Sequence, residues 1–296
     1  MAQTDADKAY HEGETRLREG RLEDAHQGYA RARTFYREAE DPEGEGAALI
    51  ALGELALRRE DLDAAEGFYV EARDRYAHAG AQVDQGRVLN RLGDLATAAG
   101  RPGDARAYYE AAREILSAAD DAVREAYAVA ELARLCVDDG EEDRALELLH
   151  RSRDLNRRGH ARAGEGRALK MLADLEHGLD RSDEALGHYE EAVELFRETG
   201  DLLDEARALA GLGALQTDAG NVEAARDAFD LGAEAGVRAG DLPGEAECLL
   251  AQARMEAHRD PRNARRHYDH AGTLFERAGM SDMRALVERE TAQLAS

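Results

Sequence analysis

The feature that most constrains this chain is a period of forty residues. Ala25, Ala65, Ala105, Ala145, Ala185 and Ala225 each stand forty residues apart. Five residues before each lies a turn position: Gly20, Glu60, Gly100, Gly140, Asp180 and Gly220. Four residues after each Ala comes a large apolar residue: Tyr29, Tyr69, Tyr109, Leu149, Tyr189 and Phe229. Three further on is a small residue: Ala32, Ala72, Ala112, Ser152, Ala192 and Gly232. A register kept over six copies without an insertion means that one supersecondary unit is used again and again.

The stretch Gly86 to Glu125 shows what that unit is. Leu89, Leu92, Gly93 and Leu95 follow a helical period, and so do Ala105, Tyr108, Tyr109, Ala112, Ile115 and Leu116 after the break at Gly100. So short a break folds the two helices into an antiparallel pair. One pair cannot bury its apolar faces alone, and the neighbouring copies supply the missing surface. A seventh copy, one residue short, has its turn at Asp260 and carries Ala264, Tyr268 and Ala271. Ser281 to Leu294 then reads as a single amphipathic helix, suited to cap the array. The expected repeats are 1–41, 42–80, 81–120, 121–160, 161–200, 201–240 and 241–280, with a capping helix in 281–296. No linker or second domain is visible.

The joints repeat as well. Asp41, Ala81, Asp121, Ala161, Asp201 and Asp241 open successive copies, three of them after a glycine (Gly80, Gly200, Gly240). Such glycines end helices in the left-handed conformation, and aspartate caps the helix that follows. Glu45, Gln85, Glu125, Glu165, Glu205 and Glu245 come four residues later, where acidic side chains suit a helix N-terminus. Pro42, Pro102, Pro243 and Pro261 all fall at helix starts, where a missing N–H does no harm. These signals place first helices as at Pro42 to Arg58 and second helices as at Leu62 to Ala77.

Composition narrows the partners. The formal net charge is −24, so phosphate backbones and anionic membrane surfaces are repelled, and neither nucleic acid nor membrane is expected. The bases are arginines apart from Lys8 and Lys170, as a GC-rich genome or adaptation to high salt would produce. Cys136 and Cys248 lie inside helical patterns and read as small buried thiols. The opening residues have no basic and apolar leader, and no run is long enough for a membrane helix. The expectation is a cytoplasmic protein.

The repeat resembles the tetratricopeptide repeat family. The first helix carries a large–x–x–large–small pattern, as in Leu49-Leu52-Gly53, Leu89-Leu92-Gly93, Leu169-Leu172-Ala173 and Leu209-Leu212-Gly213. Twelve residues later comes the Ala of the second helix, followed by the aromatic and the second small residue. The period departs from the family's thirty-four, resembling a longer-helix subclass. The family's later aromatic in the first helix is replaced by Ala56, Ala96, Cys136, Glu176 and Gln216. The resemblance implies an all-α, right-handed superhelical solenoid whose first helices line a concave groove. It also implies a protein–protein interaction scaffold, not an enzyme, and no cofactor.

On that resemblance the groove-facing residues from the third copy onward include Arg87, Asn90, Arg91, Arg134, Arg167, Lys170 and Arg207, a local excess of bases. Such donors suit an acidic or carboxylate-terminated peptide. They look similar to a co-chaperone carboxylate clamp without matching it position by position. The plainer expectation is that they pair with Asp94, Glu131 and Asp174 as solvated surface. In the second copy Ala47, Ile50, Ala51 and Glu54 are largely apolar, either a groove floor or surface packed by the N-terminal copy. Two further expectations are self-association through solenoid ends and a sensor array of the kind bacterial transcription regulators carry. His267 and His270 have helical ligand spacing but lack further ligands, so no metal is expected. No nucleophile elbow, CxxC or phosphate loop is present. Tyr109 and Tyr69 read as core, with Tyr108 and Phe68 beside them half exposed.

Overall fold

Left-handed residues set where most of the helices stop. Gly20, Glu60, Gly100, Gly140, Asp180 and Gly220 have φ between 59° and 77°. The joints at Glu40, Gly80, Asp120, His160, Gly200 and Gly240 are left-handed too. A residue in this conformation turns the chain out of the helix while its N–H and the next bond back to the last helical carbonyls. At Gly100, for example, the Gly100 N–H donates to the Thr97 carbonyl at 3.0 Å and the Arg101 N–H to the Ala96 carbonyl at 2.8 Å.

The computed structural model describes residues 2–294, so Met1, Ala295 and Ser296, at the two ends of the expected repeats and cap, lie outside it. Among the described residues there are fifteen helices and no strand. They are α1 (Ala2–Arg18), α2 (Leu22–Glu38), α3 (Pro42–Arg58), α4 (Leu62–Ala79), α5 (Gln82–Ala98), α6 (Pro102–Ala118), α7 (Ala122–Asp138), α8 (Glu142–Arg158), α9 (Arg162–Gly178), α10 (Ser182–Thr199), α11 (Leu202–Asp218), α12 (Val222–Ala239), α13 (Leu242–Glu256), α14 (Pro261–Arg277) and α15 (Ser281–Gln293). Aspartates cap many of them. Asp41, Asp121 and Asp201 accept from the backbone N–H three residues on, as do Asp61 and Asp260. Asp241, expected to do the same, makes no such bond.

The chain divides into two compact units, Met1–Leu155 and Asn156–Ser296, the division falling inside α8. Each is an α-solenoid. In the first, Leu49, Leu89 and Leu92 of first helices pack with Tyr69, Tyr109 and Leu116 of second helices in one continuous core. The repeating alanines are fully enclosed: Ala65, Ala72, Ala105 and Ala112 have no exposed surface. In the second unit the same positions are filled by Leu169, Ala192, Phe196 and Leu209, and by Ala173, Ala185 and Tyr189. At its C-terminal end Tyr268, Leu274, Phe275 and Val287 close the core, with Val287 the buried residue of α15.

The glutamates fall in the first turns as expected, and Glu45, Glu125, Glu165 and Glu205 are also buried there. Three accept from an arginine eight residues upstream on the preceding second helix: Arg37 on Glu45 at 2.6 Å, Arg157 on Glu165 at 2.6 Å and Arg197 on Glu205 at 2.8 Å. Glu125 has Ser117 at that place and takes Arg151 instead, at 2.6 Å. A buried carboxylate without a donor is costly, so each joint carries its own cation.

Candidate functional site

In both units successive first helices touch directly: α5 with α7, α9 with α11 and α11 with α13. These contacts place the first helices on the inner side of each curve. On that side of the first unit lies a pocket of about 660 Å³. Helix α1 supplies Tyr10, Glu14, Leu17 and Arg18; α3 supplies Ala47, Ile50, Ala51 and Glu54; α5 supplies Arg87 and Arg91; Tyr29 closes it from α2.

The repeat register explains the hollow. Ala47 occupies the place of Arg87 and Tyr127 in the next two copies, and Ala51 that of Arg91 and Glu131. Two short side chains between rows of long ones leave an apolar floor walled by arginines and tyrosines. The Tyr10 and Tyr29 rings meet edge to face, with centroids 5.2 Å apart. Burial, reinforced by Glu14 and Glu54, raises the Tyr10 phenol above its ordinary range, and Tyr29 is pushed up to about 12, first by burial.

The cations around this floor are not equivalent. Arg91 donates to Glu54 at 2.6 Å. Burial disfavours its charge, but the Glu54 carboxylate and the Tyr69 hydroxyl together offset this and hold the guanidinium above its ordinary range. Arg87 pairs with Asp84 at 2.9 Å, both side chains about 40% exposed, while its Nε is buried without a hydrogen-bond partner. Arg18 is exposed, and its guanidinium makes only a long 3.5 Å contact with the Thr15 hydroxyl. Glu14 is engaged by His11 at 3.0 Å.

The other expected groove residues are distributed differently. Asn90 is 7% exposed; its Nδ2 donates to the Arg124 carbonyl at 3.2 Å and its Oδ1 is buried without a partner. Arg134 pairs with Glu131 at 3.0 Å and Asp138 at 3.5 Å. Burial raises the Glu131 carboxyl, with Arg134 opposing. Asp94 receives no base; it accepts from the Tyr109 and Tyr127 hydroxyls, each at 2.7 Å. In the second unit Arg167 bonds Asp201 and Asp204, Lys170 bonds Asp174 at 2.6 Å, and Arg207 approaches Asp204 at 3.6 Å. Arg87 and Arg91 are therefore brought to one pocket, and every expected base has an acidic neighbour.

Tyr10, Glu14, Leu17 and Arg18 escaped the sequence reading, which took groove positions only from the second copy on. The signal was available: Tyr10 and Glu14 stand eighty residues before Asn90 and Asp94, in the same register. Elsewhere, His267 and His270 face different carboxylates, Glu256 and Glu245. Among the described residues no cluster of His, Cys, Asp and Glu is placed to hold a metal ion. Nor is any described helix long and apolar enough to cross a membrane.

The tetratricopeptide repeat model matches residues 124–198 and 164–235. Curated proteins give no significant match. Among solved structures, the apo form of RapI superposes with a TM-score of 0.67 at 14% identity, over 85% of this chain and 97% of that one. Aspartyl phosphate phosphatase F from Bacillus subtilis gives 0.65 at 12% identity, over 91% and 75%. A Rap protein complexed with Competence and Sporulation Factor gives 0.58 at 12% identity, over 99% and 96%. At such identities the likeness is one of fold.

Proposed function

Because this chain is built of tetratricopeptide repeats, we propose that it is a protein-interaction scaffold that binds an acidic segment of a partner protein on the inner face of its first unit. The observation that carries this reading is the pairing state around the pocket. Arg18 has no carboxylate partner among the described residues, and Arg87 holds only an exposed one. An exposed pair is worth about 0–1 kcal/mol, so a ligand carboxylate exchanges with Asp84 at little cost. The net charge of −24 does not forbid it. Charges beyond about 8 Å are screened at physiological salt, and the groups near the ligand decide.

Arg91 acts mainly by position: held by Glu54, it forms a fixed wall. Arg134, Arg167 and Arg207 pair with carboxylates less exposed than Asp84, Lys170 is held by Asp174 at 2.6 Å, and these four are assigned weaker contacts; Asn90 is mostly buried. Little ordering of the receptor is required, because each repeat is braced by its neighbours.

The test is peptide display against the full chain, followed by affinity measurement. Selected peptides are expected to be rich in Asp and Glu. Their affinity should fall about tenfold or more in Arg18→Gln plus Arg87→Gln, since charge-assisted hydrogen bonds contribute about 1.5–3 kcal/mol each. Selection of basic or neutral peptides, or indifference to the double substitution in a folded variant, refutes the assignment.

A further inference from the structure

Helix α14 breaks a rule that the other helices keep. Each of the other fourteen has an acidic residue in its first turn, where the positive end of a helix favours one, and α14 has none. A run of bases stands there instead. The eight residues from Arg259 to Arg266 hold Arg259, Arg262, Arg265 and Arg266 against Asp260 alone, in a chain with 63 acids and 39 strong bases. All four arginines are exposed. The guanidinium groups of Arg259, Arg262 and Arg265 have no hydrogen bond or ion pair among the described residues, and Arg266 reaches only the Asn263 side-chain oxygen at 3.4 Å. Asp260 does not pair with them, because its carboxylate caps the helix by accepting from the Asn263 N–H at 3.1 Å. Neither does Glu256, which is buried and held by Arg226 and Asn263.

The fourth repeat carries the opposite charge at the same turn. Asp138, Asp139, Glu141, Glu142 and Asp143 fall within six residues, all of them exposed. Counted from the residue before each helix, Glu141 for α8 and Asp260 for α14, the second and sixth places hold Asp143 and Glu147 in one and Arg262 and Arg266 in the other. Each pair is exposed, while Ala145, Leu146 and Leu149 of α8 and Ala264 and Tyr268 of α14 are buried. Glu147 has no ion pair among the described residues.

We propose that this outer face of α14 docks on the outer face of α8 in a second copy of the chain. Side chains four residues apart on a helix are about 5–6 Å apart, so two helices lying antiparallel match Arg262 to Glu147 and Arg266 to Asp143. The net charge of −24 opposes approach from a distance. At physiological salt that repulsion is screened beyond about 8 Å, and the facing groups decide the contact. A long polyanion such as nucleic acid fits this face less well, because exposed Asp269 follows one turn along it. The contact joins two different surfaces, so copies associate reciprocally as a dimer or successively as a chain.

Sedimentation velocity of the full chain at about 0.15 M salt is the test. The expected association is weak, with a dissociation constant on the order of 0.1 mM, because exposed ion pairs each contribute little. It should disappear at about 1 M salt, where charges are screened beyond roughly 3 Å. Arg262→Glu plus Arg266→Glu returns acids to the start of α14, which favours the helix, and should weaken association at least about tenfold. Asp143→Arg plus Glu147→Arg should do the same. An equimolar mixture of the two reversed proteins should associate again, since each supplies the charge that the other lacks; this recovery separates lost complementarity from misfolding. A chain that stays monomeric up to about 1 mM at physiological salt overturns the proposal. So do reversals without effect, or a mixture that does not recover. Binding of a duplex oligonucleotide by the monomer, lost in Arg262→Glu plus Arg266→Glu, would assign the patch to a foreign polyanion and overturn it too.

Discussion

Replacing Gly93 by Ala sets two effects of opposite sign against each other. Gly93 lies in the middle of α5, where exchanging Gly for Ala ordinarily stabilises a helix by about 1 kcal/mol. Its missing side chain, however, is where the Tyr109 ring rests. A Cβ there would lie 2.6 Å from Cζ and 2.7 Å from Cδ1, against an ordinary contact of 3.4 Å or more. The ring must therefore retreat by roughly 1 Å in an interior packed as densely as an organic crystal. It has nowhere easy to go: Tyr109 has no exposed surface and its hydroxyl is tied to Asp94 at 2.7 Å. Overpacking of this kind costs about 1–3 kcal/mol, so after the helix gain of about 1 the net expectation is a loss of up to about 2 kcal/mol. Gly67→Ala is the matched control. It lies within α4 with no atom within 4 Å of its would-be Cβ, and should stabilise by about 0.5–1 kcal/mol. Urea midpoints read by circular dichroism compare the two. A third variant, Gly93→Ala with Tyr109→Leu, copies the fourth repeat, which has Ala133 and Leu149 in these places. Its loss should be smaller than the sum of the single losses. A Gly93→Ala protein as stable as the parent, or more so, would show that propensity wins and that the ring is not confined.

Other outcomes follow from the same geometry. Glu60 is exposed with φ of 60°, so Glu60→Gly should stabilise by about 1 kcal/mol, raising the melting midpoint by a few degrees. Arg197→Ala leaves Glu205 buried without its donor and should cost about 1–2 kcal/mol; a fully buried pair would lose about 3–5, but Arg197 is half exposed. Tyr29, Tyr76 and Tyr268 are each pushed up to about 12, first by burial, from an ordinary value of 10.0. The folded state thus keeps protons that the unfolded state releases, and their contribution, complete below pH 10, is lost as pH rises toward 12. Tyrosinate absorbance should accordingly appear together with unfolding, and a simple titration centred at the ordinary value in a still-folded protein would contradict this. Cys136 and Cys248 should resist Ellman's reagent until denaturant is added, since both are buried and burial pushes the Cys248 thiol up to about 12.

Much of the fold was legible because it is set locally. The turn positions at twenty-residue intervals, the helix starts at prolines and capping aspartates, and the alternation of first and second helices are each decided within a few residues of chain. That local logic is repeated enough times to stand out from chance, and the left-handed φ values at Gly20 through Gly220 fall at the positions that the period marks. The tyrosines were also readable as core, since Tyr69 and Tyr109 fall at helical spacing behind small residues. The first-turn placement of the glutamates was legible too, but their burial was not. Position within a helix explained them well enough, and the partner that buries them sits on the preceding helix. Arg37, Arg157 and Arg197, eight residues upstream, were the unused clue.

The amino-acid sequence by itself determined that this chain is a repeating all-α structure, because caps, turns and apolar periodicity act through neighbours along the chain. Only the tertiary structure decided which groove residues meet. It brought Tyr10 and Arg18 of the first copy to Arg87 of the third, across a hollow left by Ala47 and Ala51. It also paired the expected bases with acids, leaving Arg18 without a carboxylate. Pairing and cavities depend on distances between side chains far apart in sequence, and a one-dimensional pattern carries the residue types without those distances.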